Sequence, residues 1–236
     1  MAEQSAKRLF QLDPRLAKCA EMLRGVPLAD IGTDHAYLPV FLAVQGRIPS
    51  AVAADLREGP LAAAKKTIAR FHVETIVEAR LSDGLAAVRP EEAEDIVIAG
   101  MGGELIARIL SEAPWLKAEG KRLVLQPMTT AEILRSFLRE SGFAVRREEA
   151  VAAGGKFYTV LCAEYDPASV DGSVLYPYAG ALSGDTAENR GYLRNCLGRL
   201  QNRIYGLCRT GSCSEAEELK RIAAQLETLV EGSELR

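Results

Sequence analysis

The sequence predicts a doubly wound α/β sheet closed by an antiparallel β-hairpin and followed by an α-helical hairpin. Three observations carry this prediction. Short apolar, β-rich runs alternate with helical patterns through the first two-thirds of the chain, the order that a parallel sheet with crossover helices requires. Runs such as 96–99 are continuously apolar rather than alternating, as burial on both faces of a parallel sheet demands. Late in the chain, apolar residues recur at spacings of three and four in two successive stretches, the signature of amphipathic helices.

The elements follow in order. Asp13-Pro14 supplies an N-cap and a fixed first helical φ, opening a helix over 13–23. Residues 28–31 form the first parallel strand. A helix over 37–45, a strand over 50–55 that ends in an acid, and a helix over 60–71 come next. Further strands are expected over 75–81, 95–99 and 123–126, with helices over 103–111 and 130–141 around the last of these. Residues 145–151 and 157–163, joined by Gly154-Gly155, form the closing antiparallel pair. Residues 166–185 are rich in Gly, Pro, Ser and Tyr and lack a period, so a linker or irregular lid is expected. The helix over 186–207 carries the stripe Leu193, Cys196, Leu197, Leu200, Ile204 and Leu207. A turn over 208–214 contains Gly211, after which Leu219, Ile222, Leu226 and Leu229 repeat the stripe. Two amphipathic helices with a short connection pack antiparallel. The expected organisation is therefore one domain over 1–165 and a linker with a coiled-coil-like hairpin over 166–236.

Composition narrows the function classes. Apolar residues make up 48% and charged residues 26%, enough for a sizeable core and against long disorder. Residues 1–10 lack the apolar segment of a secretory signal, and no apolar run approaches a membrane span. A cytoplasmic, monomeric protein without membrane attachment is expected. The five cysteines, Cys19, Cys162, Cys196, Cys208 and Cys213, are odd in number, scattered and without a CxxC pair. With only two histidines, they argue against a disulfide framework or a metal centre and for buried thiols in a reducing compartment.

The net charge of −3 argues mildly against a nucleic-acid partner, but the charge is unevenly distributed. Residues 189–214 contain no acid and five arginines: Arg190, Arg194, Arg199, Arg203 and Arg209. On a helical wheel the first four flank the apolar stripe and leave their guanidinium groups to solvent. A phosphate-gripping face and a solvated, salt-bridged hairpin both fit that pattern. Gly191, Gly198 and Gly206 fall on the polar side, each at a cost of ~1 kcal/mol relative to Ala. Close approach of another surface accounts for such glycines. Arg135, Arg139, Arg146, Arg147 and Lys156 make a second basic group around the final strands.

Four segments lie at predicted strand ends, where open α/β sheets bind ligands. The first is Asp30-Ile31-Gly32-Thr33-Asp34-His35-Ala36, in which the glycine lets backbone approach a ligand without a Cβ in the way. The second is Asp55, placed to accept hydrogen bonds from vicinal ribose hydroxyls or to cap the following helix. The third, Ser82-Asp83-Gly84, suits an adenine amino group or a simple turn. The fourth, Ala99-Gly100-Met101-Gly102-Gly103, leaves room for a flat ring, or permits tight helix–strand packing. Together the ordered set points to a nucleoside-bearing cofactor. Asp30 and Asp34 disfavour phosphate, which is held by exposed N–H groups away from carboxylates. They suit a ligand bearing a sulfonium and an ammonium, which favours S-adenosylmethionine over a nicotinamide dinucleotide.

At these residues the chain resembles a known family. Asp30-Ile-Gly-Thr-Asp-His-Ala-Tyr-Leu-Pro39, Glu58-Gly-Pro60, Ile98-Ala-Gly-Met-Gly-Gly103 and Leu123-Val-Leu-Gln-Pro127 are similar to the TrmK family, bacterial tRNA (adenine-22-N1)-methyltransferases. The likeness extends over nearly the whole chain, including residues 154–158 and the helical hairpin. It implies a class I (Rossmann-like) methyltransferase sheet, S-adenosyl-L-methionine as cofactor, tRNA as partner and no metal. Carried over by motif, Asp30, Gly32, Thr33, Asp34 and His35 line the methionine side of the cofactor. Asp55 and Leu56 lie at the ribose, and Ser82, Asp83 and Gly84 at the adenine. Gly100, Met101 and Gly102 line the methyl-transfer cleft, and Gln126 and Pro127 face the target base. The amide of Gln126 and backbone around Met101 are expected to orient that base, while His35 is expected to bond within its own loop rather than act as a base. Arg15, Lys156, Arg190, Arg194, Arg199 and Arg203 are the expected RNA contacts. The alternatives are a dinucleotide-dependent oxidoreductase, a methyltransferase acting on another RNA or a small molecule, and a non-catalytic RNA-binding protein.

Overall fold

A computed structural model describes residues 11–210 and 212–231; the expectations for residues 1–10 and for Gly211 lie outside the described residues. Among these, seven strands form one sheet in the order β3-β2-β1-β4-β5-β7-β6. The strands are β1 (Leu28–Ile31), β2 (Ala51–Asp55), β3 (Val77–Leu81), β4 (Asp95–Gly102), β5 (Arg122–Thr129), β6 (Phe143–Ala153) and β7 (Lys156–Tyr165). All neighbours are parallel except that β7 runs antiparallel to both β5 and β6. Gly154 and Gly155, with φ of 55° and 74°, close the β6–β7 turn. Two consecutive residues at positive φ are what a two-residue hairpin loop of the favoured twist needs.

Helices α1 (Pro14–Met22), α2 (Tyr37–Val44) and α3 (Glu58–Arg70) cover one face of the sheet, and α4 (Gly103–Ser111) and α5 (Ala131–Glu140) the other. Successive strand side chains alternate between the faces. Leu28 and Val97 therefore pack with α1–α3, while Ala29, Ile31, Ile96 and Ile98 pack with α4 and α5. The expected cap of α1 is present: Asp13 accepts a 2.9 Å hydrogen bond from the Arg15 N–H, and Pro14 is the first helical residue.

Strands β4 and β5 run further than the apolar pattern suggests. Gly100, Met101 and Gly102 belong to β4 and pair with β5 through an irregular register between Ala99 and Gly102. Gly100 sits at φ 80°, and that left-handed residue makes the bulge possible.

The segment after β7 contains a short helix, α6 (Tyr176–Ala179), and leads into a hairpin of α7 (Ala187–Thr210) and α8 (Cys213–Glu231). Leu193, Cys196, Leu226 and Val230 pack in one cluster and Leu200, Leu219 and Ile222 in the next. Arg135 bolts these pieces to the sheet. Fully buried, it pairs with Glu148 of β6 at 2.6 Å and donates to the carbonyls of Pro177 and Tyr178 and to the Tyr192 hydroxyl of α7. Glu148 also accepts from Thr159 and from the Ala181 N–H.

This corrects the expected basic surface around the final strands. Arg135 is interior because a buried carboxylate faces it, Arg146 is paired with Asp166 and Glu164, and Arg147 with Glu149. Gly191 is corrected too. A Cβ there would overlap the Phe157 ring, so it serves helix–strand packing within the chain. Cys19, Cys162 and Cys196 are buried free thiols, but Cys208 is exposed. No described helix is long and apolar enough to cross a membrane.

Candidate active site

The four strand-end segments converge on one cleft of about 510 Å³. Asp30, Gly32, Thr33, Asp34 and His35 line it from the β1–α2 loop. Asp55 and Leu56 line it from β2, and Ser82, Asp83 and Gly84 from the end of β3. Gly100 and Met101 come from β4, Gln126 from β5 and Arg15 from α1. Gly102 and Pro127 do not line it. Gly102 pairs with Thr129, and Pro127 is buried within β5. Lys156 is exposed at the β6–β7 turn and lies outside the cleft lining.

The β1–α2 loop is backbone-strained. Gly32, Asp34 and Ala36 have φ of 72°, 51° and 55°, left-handed values that non-glycine residues adopt at a cost and that cluster at ligand sites. Gly32 has a second reason to be glycine, because a Cβ would overlap the terminal methyl of Met101. The β1 and β4 loops thus approach each other across the cleft floor.

Asp30 is buried beneath this loop, and the Thr33 hydroxyl donates to its carboxylate at 2.5 Å. Burial pushes its carboxyl up to about 6; the Thr33 hydrogen bond opposes the rise and the charge of Asp55 adds to it. Asp55 is 6% exposed. Its two oxygens accept from the N–H groups of Arg57 at 2.9 Å and Asp34 at 3.3 Å. The N-cap position of α3 belongs to Arg57, so Asp55 is not the helix cap. It bridges two loops and keeps its carboxylate at the cleft.

Ser82 behaves as a turn residue: its hydroxyl donates to the Gly84 carbonyl and accepts from Ala87 N–H. Its neighbour Asp83 stands at the rim, 3.6 Å from Arg108. His35 is engaged by its immediate sequence neighbours. Its ring stacks on Tyr37 with centroids 5.1 Å apart, and Nε2 lies 3.9 Å from the Asp34 carboxylate. Gln126 is fully buried; its amide oxygen accepts from Gly100 N–H and its amide nitrogen donates to the Pro127 carbonyl. The side chain therefore holds the β4 bulge. Arg15 is fixed by Asp13, rests on the Tyr158 ring at 5.4 Å and reaches the Met128 sulfur.

Sequence reasoning missed Tyr37, Arg57, Leu105 and Arg108, all of which line the cleft. Arg57 was findable as the second residue after the strand-end acid. Arg108 was findable as the basic residue one turn into the helix that starts at Gly103. Of the hairpin arginines, Arg190 donates to the carbonyls of Gly184 and Asp185, Arg199 reaches the Cys196 sulfur and Arg203 pairs with Glu215. Each of the three finds an acceptor within the chain, at the helix start, on α7 or on α8, while Arg199 and Arg203 remain exposed as the helical wheel expects.

A methyltransferase domain family model matches residues 12–161. Over 233 residues the chain is 36% identical to the tRNA (adenine(22)-N(1))-methyltransferase of Bacillus subtilis (strain 168), covering 94% of this chain and 97% of that one. Among solved structures, the B. subtilis M1A22 tRNA methyltransferase TrmK superposes with a TM-score of 0.80 at 29% identity, covering 95% and 99% of the two chains. Streptococcus pneumoniae Sp1610 in complex with S-adenosyl-L-methionine superposes with a TM-score of 0.79 at 30% identity, covering 92% and 98%.

Proposed function

The chain belongs to the tRNA (adenine(22)-N(1))-methyltransferase family, and from that premise we propose how its cleft transfers a methyl group from S-adenosylmethionine to N1 of an adenine in tRNA, giving 1-methyladenosine. The observation that carries the reading is Asp30: a buried carboxylate bonded to a single hydroxyl and held at about 6 is an acid short of a cation. The cofactor fits that demand with its ammonium and sulfonium, whereas a pyrophosphate beside Asp30 and Asp34 would be repelled. Asp55 remains for the ribose hydroxyls, with Leu56 and Arg57 at the rim, and Asp83 and Gly84 for the adenine.

Bound S-adenosylmethionine supplies an electrophilic methyl on its sulfonium. Adenine N1 carries an in-plane lone pair, so no proton has to leave before attack. The protein's task is to position the base and exclude water, and good alignment supplies ~7 kcal/mol or more of the barrier. Gln126 and the bulge at Gly100 shape the floor on which the base sits, and Met101 with Gly32 sets the approach between the two loops. Gln126 acts by holding Gly100 rather than by touching the base through its amide. Pro127 and Gly102 act within β5 and β4 by pairing the two strands, Pro127 with Met101 and Gly102 with Thr129. Arg15, Lys156 and the hairpin grip the RNA, whose adenine must leave its stack at a cost of a few kcal/mol. Residues 1–165 thus form the cofactor-binding part and 166–236 the RNA-binding part. The cytoplasm, where tRNA is processed, is the proposed location.

Incubation with labelled S-adenosylmethionine and unmodified tRNA should place label on the RNA. Asp55→Ala should abolish cofactor binding in calorimetry. Gln126→Ala should bind cofactor yet slow transfer at least ~10-fold, a barrier rise of ~1.4 kcal/mol. Tight binding of a nicotinamide dinucleotide in place of S-adenosylmethionine would overturn the reading.

A further inference from the structure

The pairing of β4 with β5 slips twice beside the cleft. Ala99 lies opposite Gln126, Met101 opposite Pro127 and Gly102 opposite Thr129. Gly100 is therefore an extra residue in β4, and Met128 an extra residue in β5. The second slip offsets the first, so the two strands leave the irregular stretch in step. Bulges re-aim the side chain that they carry. Met128 is half-buried and lies outside the cleft lining, yet two donors converge on its sulfur. The Arg15 guanidinium donates to it through Nη1 at 2.7 Å, and the Gln126 amide through Nε2 at 3.7 Å.

These bonds continue in both directions. Arg15 is also held at Nε by the Asp13 carboxylate, at 2.8 Å, and its guanidinium rests on the Tyr158 ring. Met128 thus fixes a second nitrogen of a group that α1 carries into the cleft. Gln126 in turn accepts from the N–H of Gly100, the extra residue of β4. An unbroken chain of contacts runs from α1 through Met128 and Gln126 to the β4 bulge. Packing at position 128 asks only for volume, which leucine would supply. Holding two donors asks for an acceptor, even one as weak as a thioether. We propose that Met128 is a positioning residue for methyl transfer, whose sulfur ties Arg15 to Gln126 and keeps the RNA grip in register with the cleft floor. The inference rests on Arg15 gripping the RNA and on Gln126 shaping the floor under the target adenine. Met128 stands behind that floor, so its effect falls on the rate of transfer, which depends on alignment, and leaves cofactor affinity alone.

The test is single-turnover methyl transfer to unmodified tRNA by the full chain at saturating S-adenosylmethionine. Met128→Leu nearly conserves volume and removes the sulfur. It should slow transfer about fivefold, the rate equivalent of ~1 kcal/mol, with the melting temperature and the calorimetric cofactor affinity unchanged. Met128→Gln is unbranched and brings an amide oxygen close to the place of the sulfur, so it should recover most of the lost rate. In an Arg15→Ala background the link is already cut, and Met128→Leu should then cost nothing further. Transfer at the wild-type rate in Met128→Leu would overturn the proposal. So would a loss that Met128→Gln does not recover, or one that adds in full to that of Arg15→Ala, since packing alone would then explain the methionine. Absence of methyl transfer in the wild type would overturn the functional reading and this inference with it.

Discussion

Replacing Asp30 by Asn should make the protein more stable and unable to bind its cofactor. Asn retains the shape and can accept the Thr33 hydroxyl, but it removes a charge that the fold holds at a disadvantage. Moving a carboxyl from 3.8 to about 6 corresponds to ~3 kcal/mol, at ~1.4 kcal/mol per tenfold change in acidity. That is an upper bound on what Asp30→Asn returns to the cofactor-free protein at neutral pH. Because the folded protein binds this proton more tightly than the unfolded chain, Asp30 disfavours folding above pH 6, and stability recovers as pH falls from 6 towards 3.8. The difference in unfolding free energy between Asp30→Asn and wild type should therefore be largest at pH 7.5 and shrink towards pH 4. Urea denaturation of both proteins across that range measures it. Calorimetry should show cofactor affinity of the wild type rising as pH passes 6, with proton release on binding, and no binding to the variant. A variant less stable than wild type at pH 7.5, or one that binds cofactor normally, would refute the reasoning.

Other expectations follow from packing. Gly32→Ala places a Cβ at φ 72° against the Met101 methyl; it should cost ~1–2 kcal/mol of stability and at least tenfold in cofactor affinity, read by denaturation and calorimetry. Arg135→Met leaves Glu148 buried without its cation and should cost ~3–5 kcal/mol in urea denaturation. Adding Glu148→Leu should recover part of that loss, because an apolar pair avoids the uncompensated charge.

The strands of the parallel sheet were legible because burial on both faces leaves continuous apolar runs, and β1 and β2 match those runs closely. The ends of β4 and β5 were not, because Gly100, Met101, Gly102 and Thr129 carry no apolar period, and a bulge leaves no mark in spacing. The helical hairpin was readable from its stripe, whereas α6 is only a single turn in a segment without period. In the cleft, acids and glycines at strand ends were visible one by one, and the structure brings most of them together. Which polar atoms are already occupied was invisible. Nothing local tells that Gln126 bonds Gly100, that His35 lies on Tyr37, or that Glu148 meets Arg135 across the sheet edge. Charge counting fails for the same reason: Arg135 reads as a surface cation until Glu148 of β6 is placed beside it.

The central claim is that this cleft methylates N1 of a single adenine in tRNA. Its most direct test is nucleoside analysis of a tRNA transcript after reaction with labelled S-adenosylmethionine, alongside a transcript in which the adenine at position 22 is replaced. The account predicts 1-methyladenosine as the labelled product with the first transcript and none with the second. Label on another base or another adenine atom, or equal labelling of both transcripts, would contradict it.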